Sequence, residues 1–291
     1  MITTKDHIEN LNALRAFAVF SVFVSHMASY GGIKFPILDE HGGGIGVQTF
    51  FLISGYLITQ SAQNKTLFDY SISRFFRVFP AYWIALITAW ILTASINNEY
   101  LSLLKENKSI IILNLLNLQQ FSIKSLLMFD SLHVSWTLTV ELIWYCIAFI
   151  LATTLRFINL PYKWVFLLII TTVFSLLWVI SAERGNLDFL LQNQTEASGV
   201  LISAPIRHVF LKSNIIGYLY FFIVGATIFI YKNTLISKPN FILWMPAALT
   251  IFLWENTQTW IGFAPQPLAA IGLGCLLILF LKMPPIKDNL N

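Results

Sequence analysis

Three short stretches of this sequence set ionisable side chains among apolar neighbours. Arg15 and His26 lie in "LRAFAVFSVFVSH", Arg74 and Arg77 in "SISRFFRVFPAYW", and Glu141 in "HVSWTLTVELIWYCIAFIL". An ionisable group inside a membrane-spanning helix costs at least ~2.5–3.5 kcal/mol on insertion scales, so each such residue calls for a role and a partner. Arg15 and His26 are eleven positions apart. At about 100° per residue they fall ~20° past three full turns, on one helix face and ~16 Å apart along it. Snorkelling to the inner headgroups accounts well for Arg15. For His26, the shared face points to a polar seam turned toward other helices. An imidazole takes up and returns a proton near neutral pH, which makes His26 the acid–base candidate.

Arg74 and Arg77 are three apart on what reads as the first turns of a helix, with Pro80, Tyr82 and Trp83 following. Residues at i and i+3 are neighbours on a helix, so two guanidinium forks face the same way and suit phosphate oxygens. The same pair also satisfies the positive-inside rule by meeting lipid headgroups, and both readings stand at this level. Glu141 needs a cationic or hydrogen-bonded partner, with Arg15, His26 or an arginine of the pair as candidates; a purely structural interhelical ion pair is the competing role.

The elements that must position these residues are membrane helices. Of 291 residues, 57% are hydrophobic and 11% charged, and mean hydropathy is +0.71, far from the balance of soluble domains. A span needs about 20 mostly apolar residues, and the sequence predicts eight such windows, near 11–29, 44–62, 77–96, 134–155, 162–182, 213–232, 239–256 and 265–282. The apolar runs are continuous, without the alternation of a membrane barrel, so the fold class is an all-α polytopic transmembrane bundle. Ile110 to Phe121 is too short to cross and carries Asn114, Asn117, Gln119 and Gln120; it reads as an interfacial or re-entrant piece. With the N-terminus cytoplasmic, eleven of the eighteen Lys and Arg fall on the inner side, as the positive-inside rule requires. The net charge of +4 therefore reflects membrane orientation, and no nucleic-acid partner is expected.

Cys146 and Cys275 fall inside spans and make neither a disulfide nor a metal framework. The start, "MITTKDHIEN", carries both charge signs and leads into a run containing Arg15, so the first span reads as a permanent helix and not a cleaved signal. With no linker or repeat, residues 1–291 read as one membrane domain. The segment near 183–212 is the longest outer loop, long enough to fold over the outer face. Two motifs are set aside. His41-Gly42-Gly43-Gly44 imitates an esterase oxyanion loop but lacks a G-x-S-x-G elbow, and Ser54-Gly55 in mid-span fits close helix packing.

Four motifs in order, "LRAFAVFSVFVSH", "GVQTFFLISGYLIT", "RFFRVFPAYW" and "SWTLTVELIWY", resemble the bacterial acyltransferase-3 family of integral-membrane O-acyltransferases. The detailed resemblance covers about the first half of the chain. It places the family's Arg-x10-His element on Arg15 and His26, its FFxxSG element on Phe50, Phe51, Ser54 and Gly55, its Arg-x-x-Arg element on Arg74 and Arg77, and its span glutamate on Glu141. The resemblance implies transfer of an acyl group, usually acetyl, from cytoplasmic acyl-CoA to a hydroxyl of an extracytoplasmic polysaccharide, O-antigen or lipid-linked sugar, in the bacterial inner membrane. Acetyl-CoA would be a donor substrate and not a permanently bound cofactor, and no metal is implied. In this scheme His26, Glu141 and Arg15 are catalytic, and Arg74 and Arg77 bind the donor. The family has about ten spans, so the resemblance also implies that the C-terminal end is incomplete. A glycan or lipid-precursor transporter or flippase, and an inactive remnant of the family, are the competing readings.

Overall fold

In a computed structural model the described residues are 4–33, 35, 38–97, 100–129, 135–160, 162–261 and 266–284, and among them every regular element is helical. The helices are α1 (Thr4–Gly31), α2 (Leu38–Asn64), α3 (Leu67–Ile96), α4 (Tyr100–Glu106), α5 (Lys108–Leu115), α6 (Ile123–Phe129), α7 (Trp136–Phe157) and α8 (Lys163–Glu183). They continue as α9 (Gln192–Ser198), α10 (Ala204–Arg207), α11 (Ile215–Ile230), α12 (Lys232–Ile236), α13 (Asn240–Ile261) and α14 (Gln266–Lys282). Among the described residues, six segments are long and apolar enough to cross a membrane: Asn10–Gly31, Gly42–Asn64, Leu67–Ile96, Trp136–Phe157, Lys163–Glu183 and His208–Ile230. The last two predicted windows fall on α13 and α14, whose described apolar stretches, Asn240–Thr250 and Ala269–Lys282, are shorter. The chain is a multi-pass helical membrane protein, as helices satisfy every backbone hydrogen bond in lipid.

The chain forms two compact units, one of residues 1–60, 158–172 and 219–291, the other of residues 61–157 and 173–218. In the first, α1 lies along α2 through small residues. A Cβ added at Gly42 would meet the Ser21 carbonyl oxygen at 2.6 Å, and one at Gly46 would meet Val22 Cγ2 at 2.6 Å. Glycines four apart form a groove into which a neighbouring helix settles. The oxyanion-like motif is thus the opening of a packed helix, whose backbone N–H groups are spent on the helix itself; the His41 side chain lies outside the described residues. Further along α2, Gly55 meets the Phe222 carbonyl of α11, and Gly225 of α11 meets the Leu52 carbonyl. Around this crossing Phe51, Leu52, Ile53, Phe221, Phe222 and Ile223 are fully buried. Asn10 closes the unit by donating from Nδ2 to the carbonyls of Phe280 and Met283, at 2.9 and 2.8 Å, at the end of α14.

In the second unit α3 starts ten residues before the predicted span. Thr66 caps it, accepting from the Asp69 N–H at 3.2 Å, which satisfies one of the donors left open at a helix start. Pro80 lies inside α3 without ending it. Arg74 and Arg77 therefore sit on the second and third turns, deeper than the sequence placed them. At 1.5 Å per residue, thirty residues run ~45 Å, enough to cross the headgroup layers as well as the hydrocarbon.

The predicted interfacial piece is α5, a turn at Asn117 with φ 54°, a short 3-10 turn and then α6. Its four amide side chains are buried. Asn114 Nδ2 donates to Ser125 Oγ at 3.0 Å, while its backbone carbonyl accepts from the Tyr82 hydroxyl. The Asn117 backbone carbonyl accepts from Thr139 Oγ1 at 2.8 Å, and Gln120 Nε2 donates to the Ser213 carbonyl. These bonds tie the segment to α3 and α7.

The 183–212 segment is ordered by an apolar cluster of Leu191, Ile206, Phe210 and Leu211 with Ile123, Leu126 and Ala182, and by two ion pairs, Arg207–Asp188 and Lys212–Glu183. Hydrogen bonding from Arg207, aided by its charge, holds the Asp188 carboxyl below the usual carboxylate range. A carboxyl whose pKa is lowered on folding stabilises the fold at pH values above its unfolded pKa, about 3.9, and loses that contribution as pH falls through its folded value. Protection of residues 183–212 from hydrogen exchange in detergent should fall modestly below pH 4, and the fall should be smaller in Asp188→Asn.

Candidate active site

Helix α1 carries two of the predicted site residues. Its buried stripe runs through Leu11, Leu14, Ala18 and Ser21, and at about 100° per residue Arg15 and His26 both flank that stripe on the same side. Both are half-buried. The Arg15 guanidinium lies over the Phe50 ring of α2, 5.9 Å from its centroid, within reach of a cation–π contact. The His26 ring stacks on Tyr30, one turn on, with centroids 5.8 Å apart and an 11° interplanar angle. The stack sets the imidazole beside an exposed ring of its own helix.

Helices α3 and α7 bring the second group together. Arg74 is half-buried, with its guanidinium 5.5 Å from the ring centroid of Tyr70 on its own helix and 5.5 Å from that of Tyr145 on α7. The Tyr70 hydroxyl donates to the Tyr145 carbonyl at 2.9 Å, locking the two helices at this level. The Tyr145 hydroxyl donates to Glu141 Oε1 at 3.1 Å, and Glu141 is only 5% exposed. Tyr145 thus joins Arg74 and Glu141, two residues that the sequence nominated separately. Arg77 is exposed and within electrostatic range of Tyr145.

Two rings thus lie against the Arg74 guanidinium, and its buried Nε makes no hydrogen bond within the chain. Aromatic neighbours restrict the rotation of a guanidinium, whose remaining N–H groups suit an oxyanion. Tyr70 and Tyr145 were not among the residues selected from the sequence. The signal was there: Tyr70 precedes Arg74 by four and Tyr145 follows Glu141 by four, the spacing of helix neighbours. Among the described residues no cluster of three or more His, Cys, Asp or Glu could hold a metal ion. His133 lies outside the described residues.

Residues 8–288 match the family model for the acyltransferase domain. The chain belongs to this acyltransferase family. An O-acetyl transferase of Shigella phage Sf6 is 38% identical over 89 residues, 30% of this chain and 27% of that protein. The peptidoglycan O-acetyltransferase OatA of Listeria monocytogenes is 30% identical over 109 residues, 35% of this chain and 16% of that protein. The chain therefore aligns with about a quarter of the first relative and a sixth of the second. No solved structure matches it. Membership of the acyltransferase family fits a chain that spends several costly side chains, Arg15, Arg74 and Glu141, inside apolar helices.

Proposed function

We propose that this protein is a membrane O-acyltransferase that moves an acetyl group from cytoplasmic acetyl-CoA to a hydroxyl of an extracytoplasmic glycan. The observation that carries this reading is the family match over nearly the whole chain, joined to two O-acetyltransferases among its relatives. In the reaction the acceptor hydroxyl oxygen attacks the thioester carbonyl carbon, the new C–O ester bond forms, and the C–S bond breaks to release the CoA thiolate. His26 takes the hydroxyl proton during attack and returns it to the departing sulfur. An acyl-imidazole on His26 is the covalent variant of the same exchange. Arg74 and Arg77 hold phosphate oxygens of the donor, Arg15 assists on the donor side, and Glu141 fixes Tyr145 and thereby the Arg74 fork.

The charge bias of the loops supports an N-terminus in the cytoplasm, and the family resemblance supports a place in a bacterial inner membrane. The deciding experiment is expression in a host whose envelope glycans carry no O-acetyl esters, with ester-linked acetate measured by mass spectrometry. Stable insertion of the intact chain without any acylated sugar would refute the assignment. The arginine roles have their own test in labelled acetyl-CoA binding. A lysine offers a point charge where a stacked, bidentate fork is needed. Arg74→Lys should weaken binding at least ~10-fold, in line with ~1.5–3 kcal/mol for a charged hydrogen bond. Unchanged binding in Arg74→Lys/Arg77→Lys would remove both residues from the donor site.

A further inference from the structure

The second unit holds a cleft of about 430 Å³ between the α5–α6 segment and α9, with a mixed polar and apolar lining that includes none of the candidate active-site residues. Its lining includes Asn107, Ser109, Phe121, Ser122, Lys124 and Gln194. Phe121 is 58% exposed, a large apolar ring left on a polar rim where folding gains little from it. The walls around it are fixed by internal bonds. Gln194 Oε1 accepts from the Ile123 N–H at 3.0 Å, its Nε2 donates to the Phe121 carbonyl at 3.3 Å, and Lys124 Nζ donates to Asn107 Oδ1 at 2.8 Å. One ammonium N–H is engaged there, and two remain for a ligand. The Ser122 hydroxyl accepts from the Ser125 N–H at 3.2 Å, which leaves its own proton to donate.

An exposed aromatic face beside hydroxyl and ammonium donors, on a preformed frame, matches the chemistry of a sugar ring. The C–H face of the ring packs on the aromatic, and its hydroxyls meet the polar rim. We infer that this cleft is a glycan-binding subsite that holds a saccharide unit of the acceptor against Phe121, with Lys124 and Ser122 hydrogen-bonding its hydroxyls. The inference rests on the glycan acceptor and on the membrane orientation proposed above, which sets α4, α5, α6 and α9 on the extracytoplasmic side.

The test uses the full chain in the ester-free host, with the host's unfractionated envelope glycan as acceptor probe, and compares wild type, Phe121→Ala, Phe121→Trp and Lys124→Ala at equal membrane levels. The expected result is about a ten-fold slower accumulation of ester acetate in Phe121→Ala, since a lost stacking contact and its buried area amount to more than 1 kcal/mol. Lys124→Ala should be slowed as well, and Phe121→Trp should keep the wild-type rate. Labelled acetyl-CoA binding by each purified protein is read alongside. Wild-type accumulation in Phe121→Ala would overturn the subsite while leaving the acyltransferase assignment in place. A parallel loss of acetyl-CoA binding in Phe121→Ala would mark a structural defect and overturn it too. If the wild type itself leaves no ester acetate, the acyltransferase assignment fails, and the subsite fails with it.

Discussion

On the proposed mechanism, replacing His26 with alanine should reduce glycan O-acetylation by a factor of about 10²–10⁴, the usual worth of a general base, with the protein still inserted and folded. The ring is half-buried and its described ring contact is the stack on Tyr30 within α1, so truncation removes a proton acceptor more than it removes packing. His26→Gln tests the point further: an amide of similar reach cannot accept and return a proton at neutral pH, and should be as inactive as alanine. Ester acetate by mass spectrometry at matched membrane levels is the readout. Near-normal product in either variant would take proton transfer away from His26, and α1 would then keep only its packing role.

The largest effect on folding is expected at Gly55. A single methyl there would run into the Phe222 carbonyl, and the reciprocal change at Gly225 into the Leu52 carbonyl. Backbone atoms cannot rotate away as a flexible side chain can, so α2 and α11 would have to separate and give up the contact of Phe51 with Phe222, whose rings lie 4.7 Å apart. Overpacking inside a well-filled core costs typically ~1–3 kcal/mol. Gly55→Val should exceed that range and leave little folded protein. Fluorescence-detected size-exclusion chromatography after a heat ramp should show early aggregation of Gly55→Val and an intermediate loss for Gly55→Ala. Gly31→Ala serves as the control, because its added methyl meets nothing nearer than Ile33 Cγ1 at 4.0 Å. Equal melting of all three would mean that the two helices do not meet through these glycines.

Local physics written along the chain determined much about this protein. Transfer free energy is summed over contiguous residues, so the apolar windows marked helices that the structure contains, and the lack of alternation excluded a membrane barrel. Helical periodicity is equally local, and it set Arg15 and His26 on one side of α1. The motifs in order pointed to the family that the match over residues 8–288 shows. What depended on neighbours distant in sequence was decided only by the tertiary structure. Helix α3 starts at Leu67 under a Thr66 cap, ten residues before the apolar window, because a hydropathy sum passes over the polar residues that a helix can still carry. Ile110 to Phe121 folded inward because Tyr82, Thr139 and the Ser213 carbonyl supply partners for its amides and carbonyls, and that pairing is invisible in a hydropathy window. Arg74 and Glu141 were each legible as costly, but Tyr145 joins them only once α7 lies against α3, since side chains from different helices meet through packing and not through spacing in one chain segment.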